Sequence, residues 1–173
     1  GIVPFLDFAY QGLADGLEED AYGVRLMAER LDEVIVVTSC SKNFGLYRER
    51  VGMTSVISKD VKQAKVAQSN LGNVARGIYS MPPDHGAAIV SRVLNDNELS
   101  AIWIEELAQM RERLNDLRHL IVDKLNERGA PRDFSFIASE RGMFSFLGIS
   151  QEQAVRLREE FHVYTLESGR INV

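Results

Sequence analysis

The run Val34–Thr38 limits the possible folds more than any other stretch of the chain, because all five of its residues are β-branched. Such residues favour strands, and a strand that is apolar on both faces is buried between layers of helices. Apolar runs at Ile2–Phe8 and Val51–Ile57 predict two further strands. Since helical patterns alternate with these runs, the first half of the chain is predicted to form an α/β layered sheet.

Two helices in this half are predicted from capping residues and apolar spacing. Asp15 and Glu18 form a predicted capping box for a helix that runs to about Leu31. Ser58 is predicted to cap the next helix. Its apolar residues, which repeat at helical spacing, are Val61, Ala64, Ala67, Leu71 and Val74. Two prolines within residues 79–86 predict a loop, and residues 87–94 are helical again.

One long helix is predicted over about residues 98–128, where apolar residues recur every three or four positions. A helix of roughly 30 residues spans about 45 Å. Because the chain lacks the sustained heptads of a coiled coil, this helix favours a bridge between two domains. We therefore predict two domains, residues 1–110 and 111–173, joined by the long helix.

The last third of the chain has shorter elements. Strands are predicted at residues 134–137, 143–147, 162–166 and 170–173. Ser150 and Gln153 form a predicted capping box for a helix that runs to about Phe161. The chain begins in an apolar run and ends in a strand pattern, whereas domain edges are ordinarily polar. We therefore expect it to be a piece of a longer protein.

Composition excludes several classes of function. A formal net charge of -5 argues against a nucleic-acid partner. The single cysteine, Cys40, cannot form an intrachain disulfide, which fits a reducing cytoplasm, and the three histidines are too scattered to predict a metal site. No apolar stretch reaches the length of a membrane span, so no membrane association is expected.

The segment Ser39–Gly45 carries the most informative polar residues of the chain. Lys42 follows the buried strand in a glycine-containing turn, with hydroxyls before it and Arg50 eight residues after it. An amine, hydroxyls and a guanidinium are what a Schiff-base site for a phosphorylated aldehyde cofactor needs. Judged alone, a lysine in a polar turn is more often a solvated surface residue.

Two residues at and just beyond the end of the first strand fit the same site. Asp7 lies among apolar neighbours, where a carboxylate is costly unless a cation such as a protonated pyridine nitrogen meets it. Tyr10 could donate a hydrogen bond to the same ring. The structural alternatives are a helix N-cap for Asp7 and simple packing for Tyr10.

Two arginines could bind anions. Arg50 has a structural alternative, which is an ion pair with Glu49 or with a neighbouring helix. Arg170 follows Gly169, which lets the backbone approach a ligand, and its planar guanidinium could bind a substrate carboxylate through two hydrogen bonds. Its alternative is a solvated arginine at a strand end.

The segment Ser39–Gly52 closely resembles the cofactor-lysine motif of class I pyridoxal-phosphate aminotransferases, within their aspartate/aromatic branch. Further segments agree with the same family in order and spacing: Asp7–Gly12, Tyr79–Gly86, Arg141–Phe146 and Ser168–Val173. The resemblance implies the α/β fold type I of pyridoxal-phosphate-dependent transferases, as in aspartate aminotransferase. Residues 1–110 would be the second half of the large three-layer α/β/α domain, and residues 111–173 most of the small C-terminal α+β domain.

This resemblance also implies a role for each cofactor-site residue. Lys42 would form the imine with pyridoxal 5′-phosphate and then move a proton between the substrate α-carbon and C4′ of the cofactor. Asp7 would keep the pyridine nitrogen protonated, and Tyr10 would hydrogen-bond the ring oxygen O3′. Ser39 and Arg50 would bind the phosphate.

Substrate residues and assembly follow from the same resemblance. Arg170 would bind the α-carboxylate of the amino acid, and Phe144 would line the substrate side. The arginine that matches Arg76 reaches into the partner subunit's site in this branch, which implies a homodimer with shared active sites. The implied reaction moves an amino group between an aromatic or dicarboxylic amino acid and a 2-oxo acid.

Several alternatives stay open at this point. The segment Ser80–His85 is more similar to bacterial aromatic enzymes, whereas Arg76 also suits an aspartate-specific aminotransferase. Elimination or decarboxylation is disfavoured, because two carboxylate-binding arginines suit dicarboxylate transamination. The family's N-terminal half, with its phosphate loop, stacking tryptophan and asparagine, has no counterpart in these residues. We therefore expect the chain alone to be inactive, and it could instead act only as a folding and dimerisation module.

Overall fold

Three predicted strands form one sheet in the computed structural model, which describes residues 1–173. β1 (Phe5–Phe8) is parallel to β2 (Val34–Ser39), and β2 is antiparallel to β3 (Gly52–Ile57). Val34 and Val36 are buried on one face of β2, whereas the residues of the other face are half-buried. The predicted strands and the α/β class are confirmed, but only one face of β2 is closed.

The chain forms two compact units. Unit 1 contains residues 1–12 and 16–107, and unit 2 contains residues 13–15 and 108–173. The sequence prediction divides the chain at residues 110 and 111 instead and assigns residues 13–15 to the first domain. It stays a prediction that unit 1 corresponds to the second half of a large cofactor-binding domain and unit 2 to most of a smaller domain.

Unit 1 contains four helices and part of a fifth in addition to its sheet. These are α1 (Leu17–Asp20), α2 (Tyr22–Arg30), α3 (Val61–Tyr79), α4 (His85–Leu94) and the first part of α5 (Asn97–Glu127). Leu107 of α5 is buried and lies so close to Gly12 that a Cβ on this glycine would come within 2.5 Å of it. Gly12 also has a φ of +90°, so a side chain there is excluded by both contact and backbone conformation.

The long helix α5 is confirmed at nearly its predicted bounds. It contains 31 residues and is therefore about 46 Å long. Its residues belong in part to unit 1 and in part to unit 2. None of the helices combines the length and the apolar character needed to cross a membrane.

The predicted capping box at Asp15 is wrong. α1 begins after Gly16 and has no side-chain cap. The carboxylate of Asp15 instead accepts a hydrogen bond from Nε of Arg141 at 2.8 Å, within unit 2. The amide of Gly16 donates to the carboxylate of Asp20 at 3.3 Å, so Asp20, and not Glu18, reaches back to the amide of the N-cap residue.

The predicted helix after Ser58 is confirmed, but its cap is not. Asp60 is the N-cap of α3, and its carboxylate accepts a hydrogen bond from the amide of Gln63 at 2.8 Å. A carboxylate at this position also interacts favourably with the positive end of the helix dipole. The apolar residues Val61 and Val74 of this helix are exposed.

Unit 2 contains a small sheet and three helical segments. β4 (Phe144–Phe146) pairs antiparallel with β5 (Arg170–Asn172). α6 (Phe136–Ser139) precedes this sheet in the chain, and α7 (Gln151–Phe161) lies between its strands in sequence. The predicted strands at residues 143–147 and 170–173 and the helix that ends at Phe161 are confirmed.

Two strand predictions in unit 2 are wrong. Residues 134–137 enter α6, because the carboxylate of Asp133 accepts hydrogen bonds from the amide and the hydroxyl of Ser135, both at 2.8 Å, and starts a helical turn. These bonds also lower the pKa of the Asp133 carboxyl. Residues 162–166 form no strand, because His162 has a φ of 56° and ends α7 in the left-handed conformation.

The capping box at α7 provides a test of local stability. Oγ of Ser150 accepts from the amide of Gln153 at 3.3 Å, and the side chain of Gln153 accepts from the amide of Ser150 at 2.9 Å. We expect Ser150→Ala to lower the local stability of α7 by about 1 kcal/mol. Amide hydrogen exchange should then accelerate roughly fivefold in this helix.

An exposed serine inside α3 serves as the control. Ser69→Ala removes no hydrogen bond of the structure and replaces serine with a better helix former. Because Ser69 belongs to α3, hydrogen exchange in α7 should not change. Equal protection of α7 in the Ser150→Ala variant and the parent would contradict the assigned role of the cap.

Candidate active site

Lys42 lies in the connection between β2 and β3, immediately beyond the carboxyl end of β2. The amide of Cys40 donates to the carbonyl of Val51 at 3.0 Å and continues the pairing of the two strands. The amide of Gly45 donates to the carbonyl of Lys42 at 3.1 Å, which closes a tight turn. Gly45 has a φ of +65°, which suits glycine. The predicted turn at Lys42 is therefore present.

The amine of Lys42 lies next to Tyr10. Nζ of the lysine is 4.5 Å from the centroid of the tyrosine ring. Tyr10 follows β1 and Lys42 follows β2, and because these strands are parallel, their carboxyl ends lie side by side. Loops at the carboxyl ends of parallel strands are where α/β sheets bind ligands. The structure thus brings together two residues that are 32 positions apart in the sequence.

A buried asparagine joins the two loops. Nδ2 of Asn43 donates to the carbonyl of Gln11 at 3.3 Å, which connects the residue after Lys42 to the residue after Tyr10. Asn43 itself is only 9% exposed. Lys42, which precedes Asn43, carries the amine of the candidate site, and Tyr10, which precedes Gln11, carries the phenol, so this hydrogen bond fixes the separation of the two loops.

Trp103 also holds the lysine turn in place, through a hydrogen bond and a stacked ring. Nε1 of Trp103, on α5, donates to the carbonyl of Asn43 at 2.8 Å. The ring of Phe44 stacks on the indole of Trp103 with centroids 4.4 Å apart and planes inclined by 13°. Sequence reasoning assigned Trp103 only to the apolar face of the long helix, because periodicity does not reveal which loop a helix contacts.

Asp7 lies within β1, so the alternative of a helix N-cap is wrong. It is opposite Val37 in the parallel pairing, and Val37 is opposite Thr54 in the antiparallel pairing. Residues directly opposite each other share a face of a sheet. Val37 and Thr54 line an open cavity of about 600 Å³, and Asp7 shares their face of the sheet without being one of the lining residues.

The anion-binding candidates line that cavity. Ser39, Ser41 and Arg50 lie in its wall. Oγ of Ser39 accepts a hydrogen bond from the amide of Ser41 at 3.2 Å. The other lining residues come from the two strands and from α3: Val37, Thr38, Val51, Gly52, Met53, Thr54, Leu71, Val74, Ala75, Ile78 and Tyr79. Two hydroxyls and a guanidinium at one cavity suit a phosphate.

Arg50 has an unusual backbone. Its φ is 51°, in the left-handed region that side chains other than glycine rarely adopt. Its Nη1 donates to the carbonyl of Tyr47 at 2.8 Å. The alternative ion pair with Glu49 does not form, because that carboxylate is 2.9 Å from Nδ1 of His85. Strained residues are concentrated at functional sites, which is consistent with an anion-binding role for Arg50.

The donor set fits pyridoxal phosphate chemically. An amine at Lys42, a carboxylate at Asp7 and a phenol at Tyr10 match an aldehyde, a pyridine nitrogen and a ring hydroxyl. Burial raises the pKa of the Cys40 thiol, which keeps this neighbour of the lysine protonated near neutral pH. No group of three or more histidine, cysteine, aspartate or glutamate side chains is arranged to hold a metal ion.

The remaining predicted residues occupy other positions. Arg76 is exposed in the last turn of α3 and is not among the residues that line the cavity. In unit 2, Cζ of Arg170 is 4.6 Å from the ring centroid of Phe144, so these two predicted substrate residues are in contact. Their roles toward a substrate, like those of the cofactor residues, stay predictions.

Comparison with known proteins gives a consistent result. The family model described as aminotransferase class I and II matches residues 1–173. The chain is 51% identical to aspartate aminotransferase from Escherichia coli over 173 residues, which cover 100% of this chain and 44% of that protein. It is 48% identical to the aromatic-amino-acid aminotransferase of Pseudomonas aeruginosa over 172 residues, which cover 99% and 43% of the two chains.

Solved structures agree with these matches. The aromatic-amino-acid aminotransferase from Burkholderia pseudomallei, described as covalently bound to pyridoxal phosphate, superposes with a TM-score of 0.96 and 48% identity. This match covers 98% of the present chain and 43% of that one. The chain therefore spans less than half the length of the relatives it matches, and the predicted fold class is confirmed.

The contact between α5 and the lysine turn generates a prediction. We expect Trp103→Phe to keep a stacked ring but to leave the carbonyl of Asn43 without its donor, which costs about 1 kcal/mol. The melting temperature should fall by about 2–4 °C. Trp103→Ala should destabilise by about 3–5 kcal/mol, because the stacking on Phe44 is lost as well.

Tyr164 offers a matched aromatic control. It is 76% exposed, and Tyr164→Phe should leave the melting temperature unchanged. A Trp103→Ala variant that melts within a degree of the parent would contradict the supporting role assigned to the indole.

Proposed function

Because the chain belongs to the class I and II aminotransferase family, we propose that it carries the lysine-bearing part of an enzyme that transfers amino groups between amino acids and 2-oxo acids. The observation that carries this proposal is the position of Lys42 Nζ, 4.5 Å from the Tyr10 ring. The residue before this lysine, Ser41, lines a cavity together with Arg50. An amine in such a position can capture an aldehyde and later act as a base.

The proposed cofactor is pyridoxal 5′-phosphate, which supplies an aldehyde and an electron-withdrawing ring when it is bound. Lys42 would hold its aldehyde carbon through Nζ. Asp7 would accept a hydrogen bond from the protonated ring nitrogen, and Tyr10 would donate one to the ring oxygen. Ser39 and Arg50 would bind the phosphate, since a fixed guanidinium and a hydroxyl form charge-assisted hydrogen bonds with phosphate oxygens.

Once an amino acid is bound, Lys42 would act as the base. Once the amino group of the substrate has replaced it at the aldehyde carbon, Nζ would take the proton from the α-carbon of the amino acid and give it to C4′ of the cofactor. Asn43 and Trp103 would keep this amine in place, since both fix the turn that carries it. Positioning of a base within reach of its proton contributes much of the rate enhancement in such reactions.

Substrate binding would involve two arginines. Arg170, in contact with the Phe144 ring, would bind the α-carboxylate through two hydrogen bonds. Arg76 is exposed near the end of α3, and we propose that it reaches the active site of a partner subunit in a homodimer. Two carboxylate-binding arginines favour transamination over elimination or decarboxylation, since a 2-oxo diacid is then a suitable amino-group acceptor.

The proposal concerns the full-length protein. The chain spans 44% of the length of the aspartate aminotransferases it matches, and the cavity beside Asp7 is open. We propose that the chain alone does not catalyse the reaction, because more than half of the length of these relatives lies outside the residues it matches. We also propose a cytoplasmic location, where a lone thiol such as Cys40 stays reduced.

Replacing the lysine tests the chemistry directly. In the full-length protein, Lys42→Ala should abolish amino-group transfer, and borohydride reduction in the presence of pyridoxal phosphate should no longer label this peptide in mass spectrometry. The exposed Lys65 of α3 is the control, since Lys65→Ala should retain both activity and the label at Lys42. A label at another lysine in the parent would contradict the assignment.

Arg76 allows a test of substrate preference. We expect the full-length protein to accept both phenylalanine and aspartate, with a somewhat higher kcat/KM for phenylalanine. Arg76→Gln should lower kcat/KM for aspartate about 100-fold and that for phenylalanine less than about fivefold, because only aspartate has a side-chain carboxylate that loses its partner. Steady-state kinetics with both substrates measures this, and equal losses would contradict the role of Arg76. A large preference of the parent for aspartate would instead favour an aspartate-specific enzyme.

A further inference from the structure

Unit 2 contains a fully buried guanidinium that the proposed reaction does not use. Arg118, on α5, has no exposed surface. Arginine is rarely buried, because removal of its charge from water is costly unless hydrogen bonds replace the lost hydration. The hydrogen bonds of a buried guanidinium fix the segments that supply their acceptors.

The hydrogen bonds of Arg118 converge on one short segment. Nη2 donates to the carbonyls of Gly142 and Phe144, at 2.7 and 2.6 Å. Nη1 donates to the carbonyl of Ile137 at 3.2 Å and to Oγ of Ser145 at 3.3 Å. The segment that precedes and begins β4 therefore folds around one side chain of α5.

The charge of Arg118 has a partner in the same network. Oε2 of Glu140 is 3.3 Å from Nη1, and the same carboxylate oxygen accepts a short hydrogen bond from Oγ of Ser145. The guanidinium of Arg118, the carboxylate of Glu140 and the hydroxyl of Ser145 thus each contact the other two. A lysine could not reproduce it, because one ammonium group lacks the planar fork that binds two carbonyls and a carboxylate together.

The two faces of the small sheet connect this network to Arg170. Ser145 is buried on the face that contacts Arg118. Phe144 and Phe146 alternate with it and lie on the opposite face, and Phe146 is paired with Arg170. The guanidinium of Arg170 also contacts the ring of Phe144 at 4.6 Å. One face of the sheet is anchored by Arg118, and the other carries the proposed carboxylate-binding arginine.

We propose that Arg118 is a positioning residue for amino-acid binding, acting through the Phe144 backbone and ring on the guanidinium of Arg170. The inference rests on the proposed function, in which Arg170 binds the substrate carboxylate. Arg118 does not itself contact the substrate. Because bidentate recognition of a carboxylate depends strongly on the position of the guanidinium, release of the Phe144 carbonyl weakens substrate binding.

The experiment uses the full-length protein and the variant Arg118→Lys. We expect KM for the amino acid to rise about 10- to 100-fold while kcat falls less than about threefold, because the reacting groups around Lys42 are unaffected. The dissociation constant of succinate, an unreactive dicarboxylate, should rise at least about tenfold by calorimetry. The control is Arg113→Lys, an exposed arginine on the same helix, which should leave all three quantities unchanged.

A double-mutant cycle separates positioning from general damage. In an Arg170→Lys background, Arg118→Lys should raise KM by less than about twofold, since the group through which it acts is already altered. If Arg118→Lys does not fold, Ser145→Ala removes two contacts of the network, those of the hydroxyl with Arg118 and with Glu140, and should raise KM about two- to fivefold. The smaller effect is expected because the Gly142 and Phe144 carbonyls stay bound.

Distinct outcomes overturn the two proposals. Additive effects in the cycle, or unchanged KM and unchanged succinate binding in Arg118→Lys, would overturn the positioning role. Absence of amino-group transfer by the parent and by Arg113→Lys would instead overturn the proposed function. In that case the dissociation constants of succinate for Arg118→Lys and for Arg113→Lys would still decide the role of Arg118.

Discussion

The parallel pairing of β1 with β2 is the constraint on which the candidate site depends. It aligns the carboxyl ends of two strands, so the loop after Phe8 and the turn after Ser39 emerge side by side. Tyr10 and Lys42 meet for this reason, although neither loop contains a motif that refers to the other. The Asn43 hydrogen bond to the carbonyl of Gln11 then holds the loops at a fixed distance, which strand pairing alone does not guarantee.

In each unit, a side chain outside the proposed site supports the segment that carries the site residues. In unit 1 the lysine turn is held by the indole of Trp103, and in unit 2 the Phe144 segment is held by the guanidinium of Arg118. Both supporting side chains belong to α5 and donate hydrogen bonds to backbone carbonyls. Carbonyl groups are present in every residue, so such support leaves the outward-facing side chains free for binding.

The success of sequence reasoning differed between elements for physical reasons. β2 was predictable because five successive β-branched residues favour a strand, and the long helix because burial imposes a periodicity of apolar residues on it. The Ser150 cap was predictable because its two partners are three residues apart. Asp15 failed as a cap since its carboxylate pairs with Arg141, 126 positions later. Residues 134–137 failed because a local hydrogen bond from Ser135 to Asp133 outweighs the strand preference of two phenylalanines.

The sequence by itself determined which chemical groups are present and which family the chain resembles, since the Lys42 motif, the arginines and the order of segments are all local patterns. Only the tertiary structure decided which groups meet. It brought Lys42 to Tyr10, aligned Asp7 with the cavity that Arg50 lines, and assigned Trp103 and Arg118 to the support of binding residues. The physical reason is that hydrogen bonds and stacking between distant segments depend on distance in space, and a linear pattern does not encode that distance.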